Sequence, residues 1–365
     1  MLVARRNLLR DRTRFALSVA GVAVSVGLIL ILAGYRSGIY RQAAAYLDNA
    51  PGGIVVAERG IRDFLGTTSA LPASAEAQLR RAPGVSRVVP IVSQFVVFER
   101  DGRKDGFLLI GYDPVAGGGP WELVDGREPT ADDELVIDRA IARQHGIVVG
   151  DRIGVLDRPM AVVGLSEGTT FWAGSLAFAR MATVESLLRA PGRRSFLLVT
   201  PSAGESAEAV RDRLALPGAE VLLKSEVIAN DARLIGRVYD APIGLMVAIG
   251  FFIGVLVVAL VIYTATIERR REYGTMKAIG VRNRVLYRVV TTQALVAAGA
   301  GAVVGVALAY IGGAALMAWR PQFRVDVEPS AVAVVLAGSL IMAVFAALVP
   351  ARSIAGLEPA GVFRS

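Results

Sequence analysis

The sequence has no cysteine, which excludes disulfides, thiolate metal sites and a cysteine nucleophile and leaves any exported domain to fold on packing alone. Lysine occurs only at Lys104, Lys224 and Lys277. None of them follows a G-x-x-x-x-G-K-[ST] phosphate loop, in which backbone amides cradle the phosphates and the lysine reaches the terminal ones. ATP-driven work by this chain would therefore draw on another polypeptide. Histidine occurs once, at His145, and no G-x-S-x-G elbow accompanies it, so it reads as structural rather than as part of a Ser-His-Asp triad. No Asp, Glu and His group has a metal-ligand spacing, and the run Asp132-Asp133-Glu134 reads as a solvated turn. No catalytic residue, metal or cofactor is expected.

Charge is also missing from four long apolar runs, 15–35, 241–267, 289–319 and 329–351, of 21, 27, 31 and 23 residues. Crossing about 30 Å of hydrocarbon takes roughly 20 helical residues, so each run is long enough to span a bilayer, and the third is long enough to tilt. A hydrophobic fraction of 54% and a mean hydropathy of +0.52 agree with a membrane protein. A cleaved signal peptide is the alternative for the first run, because Arg5, Arg6, Arg10, Arg12 and Arg14 resemble a basic leader. The run exceeds a usual signal core and continues as an amphipathic helix over 36–46, so a retained anchor fits better. Ion-coupled carriers place ionisable groups inside the membrane, and these four runs contain none, which argues against a secondary transporter.

The net charge of +8 is unevenly placed. Residues 36–240 carry 24 basic and 26 acidic residues, whereas 1–14, 268–288 and 350–365 together carry 14 basic and 4 acidic ones. A basic surplus confined to short segments beside apolar runs is a topology signal, not a nucleic-acid footprint. It predicts a cytoplasmic segment 1–14, spans at 15–35, 241–267, 289–319 and 329–349, an extracytoplasmic domain over 36–240, a cytoplasmic loop 268–288, a short outer loop 320–328 and a cytoplasmic tail 350–365.

Within 36–240, β-like runs at 53–57, 88–99, 106–111, 134–137 and 196–200 alternate with helical stretches. A helix over 74–81 would be capped by Ser74 after Pro72, and 203–214 reads similarly. Each leads into a strand-like run, 85–92 and 219–223, which suggests two related αβ pieces around an insertion at about 112–191. Continuations of the spans over 37–47 and 231–239 would form a stalk. The pairs Gly250/Gly254 and Gly301/Gly305 have the spacing of close helix contacts, one that also arises by chance.

The inner loop Glu268-Arg269-Arg270-Arg271-Glu272-Tyr273-Gly274-Thr275-Met276-Lys277-Ala278-Ile279-Gly280-Val281 carries the most information. Tyr273, Met276 and Ile279 form one apolar stripe on a short helix, with Arg270, Arg271 and Lys277 beside it and Gly280 as its stop. From the residues alone, docking into a partner's groove and lying on anionic lipid remain equally open.

This loop resembles that of the MacB/FtsX-type permeases, which reads E-R-x-R-E-x-G-x-x-K-A-I/L-G. Glu268, Arg269, Arg271, Glu272, Gly274, Lys277, Ala278, Ile279 and Gly280 match. The tail Pro350-Ala351-Arg352, Leu357-Glu358-Pro359-Ala360 and Phe363-Arg364 resembles the family's P-A-R-x-A-x-x-x-x-P-x-x-x-L-R ending, with Ile354 and Phe363 as departures. The order of one span, a large domain and three more spans agrees along the whole chain, as in DevC-like four-span permeases. The resemblance implies an integral membrane α-helical protein with four transmembrane helices and a large α+β extracytoplasmic domain of porter/sabre type, the insertion being the sabre-like lobe. It also implies a coupling helix made of Arg271, Glu272, Tyr273, Met276, Lys277, Ile279 and Gly280 that docks an ABC-type ATPase subunit. The implied partners are that ATPase, a second permease copy as homodimer or heterodimer, a periplasmic adaptor in some members, and membrane lipid. Export or extraction of a substrate from the cell membrane is the implied function. The alternatives are lipoprotein release and non-transporting regulation of a cell-wall hydrolase, which usually goes with a smaller outer domain. A membrane-anchored enzyme would need a convergent acid, base or nucleophile set, and the sequence offers none.

Overall fold

A computed structural model describes residues 12–156, 158–171, 174–268, 270–320 and 322–355. The basic positions Arg5, Arg6, Arg10 and Arg269 and the tail motif from Leu357 to Arg364 lie outside the described residues. In chain order the elements begin with α1 (Arg12–Asn49), β1 (Ile54–Glu58), α2 (Ala73–Arg80), β2 (Val85–Arg100), β3 (Arg103–Tyr112), β4 (Leu123–Gly126) and β5 (Glu134–Asp138). They continue with α3 (Arg139–His145), β6 (Arg152–Val155), β7 (Arg158–Ser166), β8 (Thr170–Phe171), β9 (Gly174–Arg180), α4 (Met181–Leu187), β10 (Phe196–Pro201), α5 (Ala207–Arg213) and β11 (Ala219–Leu223). The last four are α6 (Lys224–Glu268), α7 (Arg270–Ala278), α8 (Asn283–Trp319) and α9 (Pro329–Ala355). Two compact units result. A helical unit comprises the chain up to Gly38, Tyr239–Trp319 and the chain from Arg324, and an α/β unit comprises Ile39–Val238 with Arg320–Phe323.

Four helices, α1, α6, α8 and α9, are long and apolar enough to cross a membrane among the described residues. Their shared core is built mostly from small and β-branched side chains, with Leu30 of α1 among them: Val22 and Val26 of α1, Val258 and Ile262 of α6, Ala294, Ala298 and Ala302 of α8, and Ala343, Ala346 and Ala347 of α9. In lipid, where no hydrophobic force separates one apolar surface from another, such small residues let backbones approach closely. Gly301 and Gly305 do this on α8: a Cβ at Gly301 would lie 2.5 Å from Val22 Cβ and 2.8 Å from Val19 O, and one at Gly305 would lie 2.8 Å from both Ala23 O and Val26 Cβ. Gly254 meets Ser25 and Met342 in the same way, whereas Gly250 has ordinary room. Leu245, Phe252, Leu256 and Leu260 of α6 face outward, as lipid contact requires.

The α/β unit holds an eleven-stranded sheet in the order β11-β1-β10-β2-β3-β9-β5-β7-β4, with β6 bonded to β2 and β7 and β8 bonded to β9. Strand β2 joins its two halves: Val88 to Ile91 pair with β10, and Val92 to Arg100 pair with β3. The β2–β3 hairpin closes on Asp101-Gly102, both at positive φ (51° and 74°), which matches the right-handed twist of the strands. The insertion 112–191 adds β4 through β9 to this same sheet instead of building a separate one. Buried Phe98, Phe107, Leu109, Ile137, Val162 and Ala177 pack one face of that half.

Several local expectations need correction. The N-cap of α2 is Pro72, with no side-chain cap, so Ser74 lies inside the helix. The second helix starts later than 203: Ser206 caps α5 by accepting from Ala209 N–H. Glu134 is no solvated turn residue. It is buried, pairs with the fork of Arg127, and accepts the backbone N–H groups of Thr130 and Ala131 at 2.7 and 3.0 Å. These contacts hold its carboxyl far below the usual range, the Arg127 hydrogen bond being the largest cause. His145 ends α3, packs edge-on to Phe98 at 5.1 Å, and places Nε2 2.8 Å from Asp105 Oδ2.

Candidate partner-docking site

Helix α7 follows α6 after a single residue and ends in a Schellman closure. Gly280 adopts φ +88°, its N–H bonds Lys277 O at 3.0 Å, and Val281 N–H bonds Met276 O at 3.0 Å. A side chain at Gly280 would meet no neighbour, so the glycine serves the left-handed backbone and not a steric need. Thr275 Oγ1 bonds Arg271 O at 2.9 Å inside the helix.

The closure brings Met276 and Val281 together, and both pack against the core shared by the long helices. This alters the stripe read from the sequence. Gly274 is buried and Met276 half-buried on the inner side, while Ile279 is 76% exposed and Arg271, Glu272, Thr275, Ala278 and Gly280 are exposed. A spacing of three residues put Met276 and Ile279 on one face. The closing turn takes Ile279 out of the helix and points it away. Lys277 is half-buried, and the Tyr273 side chain lies outside the described residues. The outward surface is thus a short polar helix face ending in one exposed branched apolar side chain.

The first two spans are joined at their ends next to the α/β unit in sequence by Arg36, whose Nε and Nη2 reach Asp240 Oδ1 and Oδ2 at 2.7 and 3.3 Å. Asp326 N–H also bonds Gly34 O at 2.9 Å. Sequence reading did not single out the pair, because two charges 204 positions apart carry no local signal. Among the described residues no group of three or more His, Asp or Glu side chains could hold a metal ion.

Residues 15–215 match the MacB-like periplasmic core domain, and residues 244–359 match the FtsX-like permease C-terminal domain. The chain belongs to the MacB/FtsX-type family of ABC transporter permeases. It is 24% identical over 364 residues to an uncharacterized ABC transporter permease of Mycobacterium tuberculosis, covering 100% of this chain and 99% of that one. It is also 24% identical over 383 residues to the pyoverdine export ATP-binding/permease protein of Pseudomonas savastanoi pv. phaseolicola, covering 97% of this permease and 58% of that protein. The crystal structure of the periplasmic region of MacB from Actinobacillus actinomycetemcomitans overlaps 50% of the permease and 94% of its own chain at 14% identity, with a TM-score of 0.39. The permease is accordingly a multi-pass cell membrane protein, four apolar helices carrying a large α/β domain.

Proposed function

We propose that this permease transmits ATP-driven motion from a separate ATPase subunit to its α/β domain, and so exports a substrate or extracts it from the membrane. The observation that carries this reading is the two-sidedness of α7. Its inner side, Met276 with Val281, packs on the core shared by the long helices, while Arg271, Glu272, Thr275 and Ile279 are exposed. A lipid anchor would turn its apolar residues together toward the bilayer. Here the core takes one apolar group, and Ile279 remains available for a partner's groove with charged neighbours to orient it.

In this mechanism the ATPase grips α7 from the cytoplasm, and displacement of α7 moves α6, which starts directly after β11 of the α/β unit. The Arg36–Asp240 fork, an exposed ion pair worth at most about 1 kcal/mol, links the first two spans at the ends that lead into the α/β unit and favours their moving together. No step needs a charge inside the membrane. The proposal includes cytoplasmic segments before α1 and after α9, an extracytoplasmic α/β unit with porter-like and sabre-like parts, and a second permease copy. An adaptor belongs to the export version. Regulation of a cell-wall hydrolase and lipoprotein release use the same transmission with a different client.

Affinity purification in mild detergent tests partner dependence. An ATPase carrying a phosphate loop should copurify with the permease in at least one nucleotide state, and its absence under all of them would remove the support for this function.

A further inference from the structure

Asp231 lies on α6, ahead of the charge-free part that begins at Ala241 and inside the α/β unit. It is fully buried. Its Oδ1 accepts the backbone N–H groups of Phe64 and Leu65, both at 3.0 Å, while its Oδ2 has no hydrogen-bond partner among the described residues. The loop it holds, 59–71, continues the clasp. Phe64 stacks on Tyr46 of α1 with ring centroids 4.8 Å apart and planes 9° from parallel, and it also leans on Phe196 of β10 at 4.9 Å. The Tyr46 hydroxyl donates to Gly118 O at 2.9 Å, and Asn230 donates to Arg62 O at 2.7 Å. One loop thus fastens the end of α1 to the start of α6 within the α/β unit.

We propose that the buried Asp231 carboxyl is a proton-binding site, and that taking up or releasing one solvent proton tightens or loosens the clasp between α1 and α6. A neutral carboxyl keeps Oδ1 as acceptor for both amides and leaves no buried charge. An ionised one leaves a buried charge whose second oxygen has no donor among the described residues, a state relieved when the loop lifts and exposes it to solvent. Proton uptake favours the closed clasp, and ionisation favours the open one.

Among the described residues the surroundings supply no compensating cation. From the loop, Asp63 faces Asp231 with the same sign, its Oδ1 held by Gly66 N–H, and Arg62 is turned to Glu220 of β11. From α1 comes Tyr46, whose hydroxyl burial keeps neutral, and β10 offers Phe196. On α6 itself, Arg233 is exposed and bonds Asn230, and Lys224 bonds Ala50 O. Burial, with Asp63 adding to it, pushes the Asp231 carboxyl up from 3.8 to about 7 while the clasp is closed. An open clasp restores the ordinary value. Between pH 6 and pH 8 the open population should therefore rise about tenfold.

Hydrogen–deuterium exchange of the full chain in lipid nanodiscs, without ATPase, measures this opening at the Phe64 and Leu65 amides, with times scaled to the intrinsic exchange rate at each pH. The expected result is about a tenfold loss of protection from pH 6 to pH 8 in the wild type and a flat profile in Asp231→Asn, which stays neutral. A wild-type profile flat within twofold, or an equal slope in Asp231→Asn, would overturn the proposal. Should Asp231→Asn fail to fold, the wild-type profile decides alone. That the clasp governs transmission rests on the function proposed above, but proton binding does not, so the two fail separately.

Discussion

Adding one methyl group to α8 at Gly305 should separate it from α1. The new Cβ would sit 2.8 Å from both Ala23 O and Val26 Cβ, against ordinary carbon contacts of about 3.5–4.0 Å. Neither neighbour can swing aside, because one is backbone and the other the branch point of a valine. Relief requires the helices to part by roughly 1 Å, which loosens the seam on both sides of the site. Overpacking of this kind costs about 1–3 kcal/mol, while replacing glycine by alanine inside a helix returns up to about 1 kcal/mol. The net for Gly305→Ala is a loss of about 0–2 kcal/mol, and Gly305→Val, which adds two more methyls to the same gap, should lose more. Gly299 of the same helix supplies the control, because a Cβ there meets nothing within 4 Å. Thermal unfolding followed by size-exclusion chromatography in detergent should place Gly305→Val below wild type and Gly299→Ala level with it or above. Equal melting of Gly305→Val and Gly299→Ala would refute the close α1–α8 contact.

Ile279→Asp should weaken ATPase copurification without reducing membrane insertion, whereas Met276→Glu should also lower the stability of the permease itself, because Met276 packs on the membrane core. Single cysteines at Lys104 and Lys277, easily read in a chain without native cysteine, should label differently with an impermeant thiol reagent, the first from outside and the second only after permeabilisation. The depressed Glu134 carboxyl contributes stability that is present above the usual carboxylate range and lost as pH falls through its lowered value. The melting difference between wild type and Glu134→Gln should therefore be large at neutral pH and vanish only in strong acid.

Much of this architecture is legible in the sequence because membrane insertion and strand alternation act locally. A water-soluble fold rarely sustains a charge-free run of more than 20 residues, so four of them declare four spans. The runs at 88–99 and 106–111 announce β2 and β3 without tertiary information, while their joining through the Asp101-Gly102 turn is seen only in the fold. Gly280 announces the end of α7 because a left-handed residue is needed there. What stays hidden depends on contacts across the chain. Helical spacing grouped Met276 with Ile279 but could not show that the closing turn splits them. Asp132-Asp133-Glu134 looked uniformly solvated, since the Arg127 that claims Glu134 gives no signal of its own. Gly301 and Gly305 had a spacing that chance also produces, and only α1 against their faces shows its use. Asp231 looked like any acid on a stalk, because its burial comes from the folding-over of loop 59–71.

In the proposed mechanism a separate ATPase grips the exposed face of α7. The most direct test is site-specific crosslinking in native membranes from a single cysteine at Ile279, with a cysteine at Leu260, on the outward face of α6, as control. Ile279→Cys should crosslink to a polypeptide with a phosphate loop, with a yield that changes between nucleotide-free and ATP-bound conditions, and Leu260→Cys should not. Equal crosslinking from both sites, or none from Ile279→Cys in any nucleotide state, would contradict it.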